Sequence, residues 1–179
     1  VIKTIKQVRY INTETGEVFG EKNHFFPAAF DEEKGYLFWV RKNSCRSFHD
    51  VEFPPEMTDI DIGRMTRLSK KVWSNTNMLG YRGNGGIKPY DIEKIAEVLR
   101  LKPRQTRNFI SKMIKLGVMA KVKVEVGGKK ETHYYLNPIY FFSGNRIPLN
   151  LYLIFREQLD AVLPEWVKEK FAEQEKAVG

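Results

Sequence analysis

The chain has 179 residues, 42% of them hydrophobic, which is enough apolar material for a folded core. A single cysteine, Cys45, excludes an internal disulfide and any multi-cysteine zinc site, and agrees with a reducing, cytosolic setting. The formal charge of +8 is uneven: residues 1–60 hold 8 Lys+Arg against 10 Asp+Glu, residues 61–140 hold 17 against 6, and residues 141–179 hold 5 against 6. A basic excess confined to the middle of the chain is the footprint expected of a phosphate-binding surface.

In chain order, residues 2–20 read as a β-hairpin. Ile5, Val8 and Tyr10 lead into the polar turn Asn12–Gly16, with glycine where a positive φ is needed, and Val18-Phe19 returns. A second apolar pair follows, FFPAAF and YLFWVRKNSCRSF, joined by DEEKG as a turn. Tyr36 through Val40 is a short apolar run whose length and aromatics predict a strand buried on both faces. Phe53-Pro54-Pro55 then forms an extended connector.

From Thr58 the periodicity turns helical, with Thr58 or Asp59 as cap. Ile60, Met65, Leu68, Val72 and Trp73 supply apolar positions to about Asn75. Arg64, Arg67, Lys70 and Lys71 lie along this helix, either as a solvated face or as contacts to a nucleic-acid backbone. The segment LGYRGNGGIKP reads as a flexible link. Its glycines match neither the dinucleotide fingerprint nor the P-loop spacing, and Lys88 is followed by proline rather than Ser or Thr. Arg82 or Lys88 could touch phosphate there as a backbone contact.

The stretch from Pro89 to Pro138 organises the rest. YDIEKIAEVLRL places Ile92, Ile95, Ala96 and Leu99 at helical spacing, and Lys102-Pro103 breaks that helix. Pro103 suits the first position of the next helix, because its missing N–H would have no partner there. In PRQTRNFISKMIKL, Thr106, Phe109, Ile110, Met113 and Ile114 share one face. Arg104, Gln105, Arg107, Asn108, Ser111, Lys112 and Lys115 share the other, and Gly117 follows as a left-handed cap. Val122, Val124 and Val126 then alternate with Lys121, Lys123 and Glu125, and Gly127-Gly128 turns the chain into a second strand ending near Leu136.

Helix, tight break, helix and basic hairpin, in that order, predict a winged helix-turn-helix. A polar outer face of Arg, Gln and Asn suits the major groove, where Arg pairs with guanine and Gln or Asn with adenine. Lys129, Lys130 and His133 are expected near the hairpin tip, against phosphates or the minor groove. Single-strand binding would want more aromatics among the basic residues than Tyr134 and Tyr135 offer.

After Asn137-Pro138, Leu151, Ile154, Phe155, Leu159 and Val162 form a helical apolar stripe. Pro164 breaks it before a last short helix with Trp166, Val167 and Phe171. The stripe could close the core or pair with a second copy, giving a homodimer suited to palindromic sites. His24, His49 and His133 stand apart, and no nucleophile elbow, Walker motif, spaced carboxylate pair or deaminase signature is present, so no catalytic residue, metal ligand or cofactor is expected. The apolar runs are too short to cross a bilayer and the N-terminus has no signal-peptide pattern, so a cytoplasmic protein without membrane contact is expected.

The expected class is therefore α+β, in three parts. These are a β-rich subdomain over residues 1–57, a winged helix-turn-helix over 58–140, and a C-terminal helical extension over 141–179.

Four segments also resemble the RepL-type replication proteins of Firmicute plasmids and phages. They are INTETGEVFGE, RMTRLSKKVWSNTN, RQTRNFISKMIKLGVM and YYLNPIYFFSGNRI. The helix pair and hairpin are shared with winged helices of the MarR kind. The resemblance covers most of residues 8–147; the C-terminal helices fall outside it. It implies a cytosolic protein that binds a specific double-stranded DNA site to start plasmid or phage replication, with contacts on Arg104, Gln105, Arg107, Asn108 and Lys112. The alternatives are MarR-like transcriptional regulation, or a winged-helix interaction module that recruits replication or transcription proteins.

Overall fold

The structure is a computed structural model that describes residues 4–26, 30–31, 35–36, 45–48, 50–73, 76–84, 86–144 and 146–178. It is a mixed α+β chain with small antiparallel sheets, divided into two units at residues 41 and 42.

In the first unit, β1 (Thr4–Ile11) pairs antiparallel with β2 (Val18–Phe26), from Thr4 opposite Phe26 to Tyr10 opposite Gly20. The Asn12 carboxamide oxygen accepts from the Glu14 N–H at 2.9 Å, and Gly16 takes φ +74°, so the turn forms as its residues require. The return strand is longer than expected: Phe25 and Phe26 belong to β2, because β1 continues opposite them, and do not begin a new segment. A two-residue pair, β3 (Phe30–Asp31) with β4 (Gly35–Tyr36), flanks residues 32–34. The buried strand expected over Tyr36–Val40 falls mostly outside the described residues, as does His49.

The second unit opens with Cys45 to Met57. Phe53 stacks on Tyr140 at 5.5 Å between ring centroids, and the connector is not fully extended, since the Met57 N–H returns to the Pro54 carbonyl at 2.9 Å. Helix α1 (Asp59–Ser69) starts at Thr58 with a reciprocal cap: Thr58 Oγ1 accepts from the Asp61 N–H, and the Asp61 carboxylate accepts from the Thr58 N–H. It ends a turn and a half before the predicted Asn75. Val72 instead bridges to Leu79, and the Trp73 N–H donates to the Met78 carbonyl, so backbone pairing replaces the helical bonds. Ile60 at the helix start is 65% exposed and lies outside the core stripe.

The glycine segment is not a flexible link. It forms a hairpin of β5 (Gly80–Gly83) and β6 (Gly86–Pro89), anchored by the Gly80 N–H on the Lys71 carbonyl and the Tyr90 N–H on the Leu79 carbonyl. A Cβ at Gly80 would stand 3.1 Å from the Lys88 carbonyl oxygen, so the glycine allows the two strands to close.

Helix α2 (Ile92–Leu99) is capped by the Asp91 side chain on the Lys94 N–H at 2.8 Å. Helix α3 (Pro103–Lys115) follows after a three-residue break, and β7 (Met119–Val126) pairs with β8 (Lys129–Leu136) through a turn in which Gly127 and Gly128 both take positive φ. Two positive-φ residues are what a two-residue hairpin turn of the favoured twist needs. Residues 77–79 run alongside β8, the Leu79 N–H donating to the Tyr134 carbonyl and the Leu136 N–H to the Asn77 carbonyl.

Met65, Leu68, Leu79, Ile95, Phe109, Ile110, Met113, Val118 and Leu136 form the main core where these elements meet. Asn77 is fully buried within it, and its side chain meets Leu136 and Phe141 carbonyls and the Ser143 N–H.

The C-terminal stripe is one apolar face on two helices rather than one. Helices α4 (Leu149–Ile154) and α5 (Arg156–Asp160) break at Phe155, and α6 (Glu165–Val178) follows where the last helix is expected. Leu151, Phe155 and Leu159 share one buried patch across that break. Tyr152 stacks on Phe171 at 4.0 Å, and Val162 stays 60% exposed, outside that patch. Among the described residues, no helix is long and apolar enough to cross a membrane.

Candidate nucleic-acid interface

Helix α3 has two unlike sides. Thr106, Phe109, Ile110 and Met113 are buried, none more than 5% exposed, while Arg104, Gln105, Arg107, Asn108, Ser111 and Lys115 are exposed. The spacing explains the division: Arg104, Asn108, Ser111 and Lys115 recur at three- and four-residue intervals opposite the apolar stripe. The core therefore fixes both the rotation of α3 and the direction its polar side faces.

Two of the residues read from the sequence have partners already. Gln105 Oε1 accepts from the Lys102 N–H at 3.1 Å, so its amide closes the start of the helix. Lys112 donates to the Asp61 carboxylate of α1 at 2.6 Å. Asp61 is only 6% exposed and also holds the Thr58 cap, with Arg64 of α1 3.9 Å away. Burial alone would raise its pKa. The hydrogen bond from Lys112, the bonds from Thr58 and the Lys112 charge outweigh that and hold the carboxyl below its ordinary value. Arg64 also lies over the Phe109 ring, 5.5 Å from its centroid, so α1 grips α3 by charge and by stacking.

On the β7–β8 hairpin, Lys121, Lys123, Lys129 and Lys130 are exposed. His133 is not at the tip as expected: it stands opposite Val122, four pairs from Val126–Lys129, with a side chain 15% exposed and 3.3 Å from Glu131. Strand register decides this, because the hairpin turns at Gly127-Gly128 and His133 lies well along the return strand. Tyr134 is 4% exposed and Tyr135 half-buried, so neither is a free stacking platform.

Lys121 is not among the residues expected at the site from the sequence, whereas Lys88 is expected there only as a backbone contact. Both line a groove of about 830 Å³ between the β5–β6 hairpin, the start of α2, Arg107 and the β7–β8 hairpin. The alternation of Lys121 with Val122 is the available signal for Lys121. The groove is electrically balanced, Asp91, Glu93 and Glu131 facing Lys88, Arg107 and Lys121. Among the described residues, no three His, Cys, Asp or Glu side chains gather as a metal site would require.

Comparison with protein-family models, curated proteins and solved structures gives no match to this chain.

Proposed function

We propose that the chain is a sequence-specific double-stranded DNA-binding protein of the winged helix-turn-helix kind, with α3 in the major groove and the β7–β8 hairpin as its wing. The observation that carries this reading is the outward polar stripe of α3, set at a fixed angle by a buried opposite face. Arg104 suits a bidentate contact to guanine, and Asn108 one to adenine. Gln105 is a weaker reader, because its oxygen would have to leave the Lys102 N–H before both amide atoms met a base. Arg107, Ser111 and Lys115 then take phosphates or flanking base edges, and Lys129 and Lys130 meet the backbone or the minor groove. Lys112 serves first to seat α3 against α1 through Asp61.

The RepL-type resemblance makes the output the start of plasmid or phage replication; MarR-like transcriptional regulation is the alternative output of the same surface. The reading assigns no catalytic residue, cofactor or metal, and places the protein in the cytoplasm. Val162 and Trp166, 60% and 66% exposed on the C-terminal segment, support pairing of two copies.

A second reading has its own observation. At the turn end of the β1–β2 hairpin, Tyr10, Ile11, Val18 and Phe19 are 47–73% exposed, an apolar surface suited to a replication or transcription protein. In that case the module recruits a partner and DNA contact is secondary.

Binding-site selection from random duplex DNA separates the two. Enrichment of one short motif, with affinity that falls steeply as salt is raised, supports DNA reading. Recovery of no motif, together with a protein complex that survives nuclease and high salt, favours the interaction module.

A further inference from the structure

A second basic surface lies apart from the proposed DNA-reading face. Arg67, Lys70 and Lys71 at the end of α1, with Lys94 of α2 and its C-cap Arg100, line a basin of about 620 Å³ together with Tyr81 and Tyr90. None of its lining residues belongs to α3 or to the β7–β8 hairpin. The base of the β5–β6 hairpin closes it, held by the Gly80 N–H on the Lys71 carbonyl at 3.1 Å.

Charge balance separates this basin from an ordinary solvated face. Among the described residues, none of its five cations pairs with a carboxylate. Glu97 is the one acid on its rim. The carboxyl ends of α1 and α2 add roughly one further negative charge between them, at about half a charge each. About three positive charges remain unmatched in a concave site of ligand size.

A backbone observation points to the same place. Arg100 ends α2 at φ +56°, in the left-handed region where glycine is the ordinary choice. The fold keeps an arginine where glycine would relax the chain, and strain of this kind gathers at binding sites. Tyr81 adds a ring already engaged by a cation, with the Lys94 ammonium 4.8 Å from its centroid and Tyr90 packed 5.5 Å away.

We propose that this basin binds a compact polyphosphate anion, of which the triphosphate of a nucleotide is the fitting example. Arg67, Lys70, Lys94 and Arg100 meet the phosphate oxygens, and Tyr81 and Tyr90 offer a surface to an attached base or sugar. The site does not depend on the DNA-binding reading, since its residues lie outside that face.

The test is titration of the full chain with inorganic triphosphate and, separately, with ATP, beside a duplex-binding measurement. Saturable binding of either probe is expected. Arg100→Gly and the double variant Lys70→Ala/Lys94→Ala should each weaken it about tenfold, with duplex affinity held within about twofold. Arg100→Gly is the discriminating variant, because it should fold at least as well as the parent while binding less. Absence of saturable binding, or unchanged binding in both variants, overturns the proposal. A parallel loss of duplex affinity also overturns it, since the basin would then be a stretch of DNA-backbone contact.

Discussion

Two buried polar residues hold the frame on which the polar stripe depends. Asn77 is fully buried at φ +54°, and its Nδ2 donates to the Leu136 and Phe141 carbonyls while its oxygen accepts from the Ser143 N–H. Asn77→Ala should lower stability by about 2–4 kcal/mol, because it leaves buried carbonyls unmet and keeps a strained backbone. Asn77→Gly separates the two causes: it relieves the backbone and still loses the bonds, so in urea titrations it should fall between parent and Ala. Asp61 is the second. Its carboxyl is held below its ordinary value of 3.8, so its contribution is present above that value and disappears as pH falls through the lowered one. Asp61→Asn should cost about 1–2 kcal/mol near neutral pH, and its deficit against the parent should shrink as both are titrated below 3.8. A deficit that stays constant through the acid range would show that the charge on Asp61 is not what matters.

Among the elements, the β7–β8 turn offers a clean test of backbone preference. Gly127 and Gly128 have open space where a Cβ would stand, so substitution there meets conformational strain alone. Gly127→Asn should change stability by less than about 0.5 kcal/mol, whereas Gly127→Val should cost about 1–2 kcal/mol in thermal melts. The same turn shows what was legible in the sequence. Glycine pairs, Pro103 at a helix start and period-specific apolar spacing are local signals, and they located α2, α3, β7 and β8 and the outward side of α3. Long-range pairing left no such mark. Val72 and Trp73 continue a helical pattern, yet they bond to residues 78 and 79, which ended α1 early. Gly80, Gly83 and Gly86 read as slack, yet β5 and β6 close on each other there, and one predicted helix is two, broken at Phe155. Of the site residues, Arg104, Arg107, Asn108, Ser111, Lys115, Lys129 and Lys130 could be read as exposed from local pattern. The ties of Gln105 to Lys102 and of Lys112 to Asp61, and the place of His133 along β8, needed the three-dimensional neighbours.

For the whole molecule, the α3 stripe and the β7–β8 hairpin together form the proposed duplex-facing surface, apart from the basin beside α1 and α2. Counterion release from about five phosphate contacts would give binding a log–log salt slope of roughly −4 to −5. If two copies pair through Val162 and Trp166, Trp166→Lys should shift the solution mass from dimer to monomer and leave each copy folded. The most direct measurement of the central claim compares Arg104→Ala with Lys130→Ala on the selected DNA site and on each of its single-base variants. Arg104→Ala should cost about 1–3 kcal/mol on the selected site and remove preference at one base position, while Lys130→Ala should weaken every duplex alike. Equal losses from both substitutions across all duplexes, with base preference unchanged, would contradict the role given to the outward side of α3.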